Sequence, residues 1–98
     1  MAMIVGILQV QLTIDGATSL KDKRRVVSSL KDRLHREHQV SVAEVGRQDE
    51  HRTAMLGIAA AGSSVPVCQS LLDRVLEKIR DHRGNYVADH AIEILAGH

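Results

Sequence analysis

Ser19-Leu-Lys-Asp-Lys-Arg-Arg-Val-Val-Ser-Ser-Leu-Lys-Asp-Arg-Leu-His-Arg36 reads as one amphipathic helix, and that reading decides the fold. Leu20, Val27, Leu30 and Leu34 recur at the three- and four-residue spacing that gathers side chains onto one stripe. Ser19 offers an N-cap. Asp22, three residues on, takes the capping-box position and brings negative charge to the positive end of the helix dipole. The pattern predicts a helix to about Glu37. Lys23 projects close to the apolar stripe in the first turn. Its stem is expected to lie along the neighbouring layer while the ammonium reaches water. The alternative is a lysine held over an anion pocket near the end of a sheet.

That layer is written on either side. Upstream, Ile4, Gly6, Leu8, Val10, Leu12 and Ile14 alternate with Val5, Ile7, Gln9, Gln11 and Thr13, a strand with one face fully apolar, stopped by Asp15-Gly16. Downstream, Gln39 to Val45 reads as a second strand. Its apolar positions switch from Val40 and Val42 to Ala43 and Val45, which points to a bulge or to cover on both faces. Gly46 to Arg52 is a polar hairpin connection, and Thr53 to Ala61 is a third strand, apolar on both faces and therefore central. Ser64 caps a second helix with Pro66 in its first turn. Cys68, Leu71, Leu72, Val75 and Ile79 form its stripe, and Gly84 is expected as its C-cap. Asn85 to Leu95 is the last strand.

The order strand, helix, strand, strand, helix, strand predicts an α+β fold, the ferredoxin-like split βαβ sandwich, as a single domain over residues 1–98. Right-handed crossovers place the first and third strands at the centre of a four-stranded antiparallel sheet, with both helices on one face. The other face shows Val5, Ile7, Gln9, Met55, Gly57 and Ala59. A face that apolar is usually covered, and a second copy of the chain across a two-fold axis is the expected cover, making a homodimer.

The single cysteine, Cys68, excludes an internal disulfide and suits a reducing compartment. The start Met-Ala-Met-Ile-Val-Gly lacks the basic n-region and cleavage site of a signal peptide, and Met3 to Leu8 is too short to span a bilayer. A cytoplasmic protein without a membrane partner is expected. The formal net charge is only +1, but residues 19–38 carry seven basic residues against Asp22, Asp32 and Glu37, and the rest of the chain is net acidic. Local asymmetry of this kind suits an anionic partner.

Met3-Ile-Val-Gly6, Ser19-Leu-Lys-Asp-Lys-Arg24, Val42-Ala-Glu-Val45 and the Gln48-Asp49 pair ahead of Leu56-Gly57 resemble the YlxP-like proteins, small bacterial proteins of uncharacterised function. The resemblance runs through essentially the whole chain, with the Ser-Leu-Lys-x-Lys-Arg motif its most specific part, while Met1-Ala2 departs from the usual start. It implies a ferredoxin-like fold and a gene setting beside translation initiation and ribosome maturation, hence an RNA or ribosomal partner. It supplies no catalytic residue.

The candidate nucleic-acid or anion-binding set is Ser19, Lys21, Lys23, Arg24, Arg25 and Lys31, with Arg36 further along the same helix. Tyr86 is the only aromatic residue, so stacking of bases across the sheet is not expected. Recognition of rRNA or a ribosomal subunit would run through shape and phosphate along the helix. Enzyme chemistry is not expected. His35 and His38 stand one turn apart without a third metal ligand, Cys68 falls on a core stripe, and the polarity of a hairpin explains Glu44, Asp49, Glu50 and His51. No Gly-rich phosphate loop, Cys pair or Ser-elbow motif occurs, so neither metal nor cofactor is assigned. The rival expectation is a homo-oligomeric small-ligand-binding or regulatory module that uses the sheet face and the hairpin.

Overall fold

A computed structural model describes residues 2–97; Met1, half of the Met1-Ala2 start, and His98 lie outside the described residues. The elements run β1 (Ile4–Ile14), α1 (Leu20–Glu37), β2 (Ser41–Gly46), β3 (Thr53–Gly62), α2 (Val65–Asp81) and β4 (Asn85–Ala96). The sheet order is β2-β3-β1-β4, antiparallel throughout, so β1 and β3 are central as their apolar patterns require. Both helices cover one face.

Burial of that face closes the core. Leu8, Val10, Leu12 and Ile14 of β1 and Ala54, Leu56, Ile58 and Ala60 of β3 are buried against Val27, Leu30 and Leu34 of α1 and Leu72, Val75, Leu76 and Ile79 of α2. α2 approaches β1 closely because position 6 has no side chain. A Cβ on Gly6 would stand 2.8 Å from Leu72 Cδ1 and 3.4 Å from Cys68 Cβ. Cys68 is buried here as a small apolar residue, its Sγ filling the space beside Gly62.

Two irregularities bend the sheet. One lies between Glu44 and Gly46 in β2, where the switch of apolar positions pointed to a bulge. The other shifts β4 against β1 between Gln11 and Leu12, and no residue pattern signals it.

The end of α2 differs from the sequence reading. The cap is His82, in extended backbone, with its N–H donating to Ile79 O at 3.2 Å. The buried Asn85 amide then donates to His82 O at 3.0 Å and Ile79 O at 3.4 Å, satisfying carbonyls that a left-handed glycine would have served. Gly84 does adopt positive φ, at 92°, but in the turn leading to β4.

The open face is less uniform than Val5, Ile7, Gln9, Met55, Gly57 and Ala59 suggested. Val5 pairs with Ala61 and Leu95, and Ile7 with Ala59 and Glu93, an almost uncharged half bordered by Ser41 and Ala43. Gln11 pairs with Met55 and Asp89, and Thr13 with Thr53 and Tyr86, a polar half. Among the described residues no helix is long and apolar enough to cross a membrane.

Candidate nucleic-acid interface

α1 begins as its capping residues dictate, with one shift. Asp22 N donates to Ser19 Oγ at 3.1 Å, while the Asp22 carboxylate accepts from Thr18 N at 3.0 Å and Thr18 Oγ1 at 2.9 Å, one residue before the cap. The Thr18 bonds hold the Asp22 carboxyl below the usual carboxylate range, helped by Ser19 and the nearby Arg25 charge. This end of the helix therefore carries its own anion. Ser19 is exposed, but its hydroxyl oxygen already accepts from the amide of Asp22, the third residue of the helix.

Lys21, Arg24 and Arg25 are exposed and Lys31 is half-buried, along a flank about 15 Å long at the rise of an α-helix. None of the four forms an ion pair among the described residues. The charges on the other flank are matched. Glu37 stands 3.5 Å from both Arg33 Nε and Lys78 Nζ, which joins α1 to α2, and Val26 packs over Gly84. The unmatched cations thus face away from the second helix. Arg36 is exposed beyond them, near the C-terminal end.

Lys23 corrects the sequence reading on both counts. It neither reaches water nor faces an anion pocket: it is 1 % exposed. Its ammonium donates to Arg47 O at 2.8 Å and Glu50 O at 2.7 Å, and stands 2.7 Å from Glu44 Oε2. The Glu44 contact is a close ion pair. The spacing 20, 23, 27, 30, 34 explains the placement, since Lys23 occupies the one polar seat of the buried stripe. What the sequence did not signal is that the hairpin would bend two carbonyl oxygens over that seat, beside the Glu44 carboxylate of β2. Arg47 takes a left-handed φ of 56° to present its carbonyl there. Lys23 therefore leaves the candidate binding set and holds the hairpin to α1.

His35 and His38 line a depression of about 540 Å³ at the other end of α1, with Gln39, Ser41, Val5 and Ala59. Among the described residues no three His, Cys, Asp or Glu gather as a metal site would need. Asp49 and Glu50 are exposed on the hairpin, where Glu50 pairs with Arg47 at 3.2 Å.

The family model described as "Protein of unknown function (DUF503)" matches residues 5–92. "Uncharacterized protein YlxP" of Bacillus subtilis (strain 168) is 36 % identical over 73 residues, spanning 74 % of this chain and 79 % of that protein. A de novo designed protein with ferredoxin fold superposes with a TM-score of 0.55 at 16 % identity, covering 94 % of this chain and 83 % of the design. The de novo designed protein Foldit4 gives 0.52 at 12 % identity, covering 98 % and 97 %. At such identities the two designs speak to the ferredoxin-like fold alone.

Proposed function

The chain belongs to the DUF503 family of proteins of unknown function, and for it we propose a non-enzymatic role: binding RNA through the outer flank of α1. One observation carries this reading. Among the described residues Lys21, Arg24, Arg25 and Lys31 share a helix flank and form no ion pair, though Arg25 stands near the Asp22 carboxyl, whereas Arg33 on the flank that meets α2 is paired with Glu37, which Lys78 of α2 also approaches. Leaving four like charges unmatched is unfavourable to the folded chain, and phosphates relieve that repulsion. The gene setting implied by the YlxP-like resemblance makes ribosomal RNA the first partner to try.

The test is a titration of short single-stranded RNA at several salt concentrations. Four phosphate contacts give a slope of log affinity against log salt near −3, at roughly 0.7 per contact. Replacing Arg24, Arg25 and Lys31 by Gln should flatten the slope by roughly 0.7 for each lost contact. Binding that ignores salt, or survives all three replacements, refutes the proposal. A small-ligand module would instead show a ligand-dependent rise in melting temperature that those replacements leave unchanged.

A second copy of the chain is proposed as the cover of the apolar half of the open face. Gly57, Ala59, Ala61 and Ala43 keep that half low, so two such sheets can approach to about 10 Å. Glu93 is its one charged residue at the paired positions, placed on the edge strand β4. A small-residue surface whose one charge is acidic offers a nucleic acid or an anionic membrane nothing to hold, and matches itself.

A further inference from the structure

The one aromatic side chain of the chain is in an unexpected place. Tyr86 is 62 % exposed at the start of β4, paired with Thr13 on the polar half of the open face. A chain with no Trp and no Phe would bury about 150–250 Å² by turning its single ring inward, yet this ring faces water. It lines a cavity of about 310 Å³ with Arg52, Asp15, Gly16 and Thr18. Arg52 is exposed and forms no ion pair among the described residues, while its backbone carbonyl is fixed by Ile14 N at 2.8 Å. The rim is firm as well, since Asp15 N donates to Gly84 O at 2.9 Å and Thr18 is tied to Asp22. The cavity is thus a cleft of fixed backbone with Tyr86 and Arg52 among the residues that line it.

We propose that this cleft takes one unpaired nucleobase of a bound RNA strand, stacked on Tyr86, with Arg52 at the adjoining phosphate or over the base. The proposal rests on the RNA reading of α1 and adds to it a contact made to a base rather than to the backbone. The Asp15 carboxylate in the same cleft repels a bare phosphate but accepts from the N–H groups of a base edge. Thr18, which also lines the cleft, lies two residues before α1, whose first turns carry Lys21, Arg24 and Arg25. Stacking on a ring is tolerant of sequence, which suits a protein whose other contacts are to phosphate. The chain does not become a sheet-face reader of several bases, because the central strands offer Gln, Gly, Ala and Met there.

Tyr86 is also the only tyrosine in a chain without tryptophan, so its emission reports on this cleft alone. The experiment titrates the full-length protein with hexauridylate and with an abasic hexamer of the same phosphodiester backbone. Hexauridylate should quench the tyrosine emission and bind roughly 5- to 150-fold more tightly than the abasic strand, the range that one base–aromatic stack provides. Tyr86→Phe should keep that preference, and Tyr86→Ala should reduce hexauridylate to the abasic level. Equal affinity for the two strands, or binding of hexauridylate without a change in emission, overturns the cleft proposal. Such binding, if it still falls with salt and with the Arg24, Arg25 and Lys31 replacements, leaves the α1 reading standing. Absence of binding by either strand sinks both.

Discussion

Lys23 shows how one residue can be legible in position and illegible in role. Its seat on the stripe followed from spacing alone, but the sequence offered only water or an external anion as partners for its charge. The partners are 24 and 27 residues away, carbonyls of a hairpin whose left-handed Arg47 has no signature in residue type. A local reading finds side-chain periodicity and misses backbone oxygens gathered by tertiary structure. The placement makes a sharp expectation. Lys23→Met keeps the length of the stem and removes the ammonium, which leaves Glu44, 22 % exposed at its side chain, and two carbonyls without their donor. Breaking one side of a buried pair costs about 3–5 kcal/mol, and the partial exposure of Glu44 lowers this to roughly 2–4 kcal/mol. Urea denaturation measures it, and hydrogen exchange should show amides 46–52 losing protection first. A variant as stable as the parent would mean that the hairpin holds itself.

The element scale brings together the two helix ends. α1 stops at His38 and α2 at His82, each the capping residue and each partly buried. Cations near a helix C-terminus are ordinarily favoured by the dipole. Here burial outweighs it. Desolvation lowers the His38 pKa, Glu37 opposes that, and Lys78 and Arg74 reinforce it; desolvation and then Arg33 lower that of His82. The sign follows from linkage. With folded-state pKa values below the usual 6.5, the unfolded chain binds protons first, so the contribution is complete above about pH 7 and is lost as pH falls through 6.5 toward the folded values. The melting temperature should therefore drop between pH 7.5 and pH 5, and His38→Gln with His82→Gln should flatten that part of the curve. A parent curve that is flat or rises toward acid would contradict the burial of these rings. Start signals were legible here where stop signals were not, since Ser19 and Ser64 act through neighbours three residues away, whereas α2 is finished by the Asn85 side chain reaching back from the next strand.

On the scale of the whole molecule, alternation and spacing specified the layers, because each of the four strands and two helices has one face that must be hidden from water. The exposed surface was less legible, for burial constrains it only by default. Seen whole, the molecule keeps three surfaces apart: cations on the outer flank of α1, the Tyr86 cleft at the end where α1 begins, and an apolar half-face at the opposite end of the sheet. Val5 and Thr13 are eight residues apart on β1, about 27 Å at strand rise, so a partner chain on the first leaves the Tyr86 end free. The half-face spans roughly five residues by four strands, about 17 by 19 Å. Two such surfaces together bury near 650 Å², well under the roughly 1,200–2,000 Å² of stable interfaces. Self-association is therefore expected to appear only as concentration rises. Sedimentation velocity over a wide concentration range should show the 10.8 kDa chain passing toward a dimer. Ile7→Lys places a charge at the centre of the half-face, between Ala59 and Glu93, without entering the helix-side core. It should abolish the association at a cost of roughly 1 kcal/mol in stability, because Ile7 is half-buried on a central strand. A parent that stays monomeric throughout, or a variant that associates equally well, would show that the half-face is not where two copies meet.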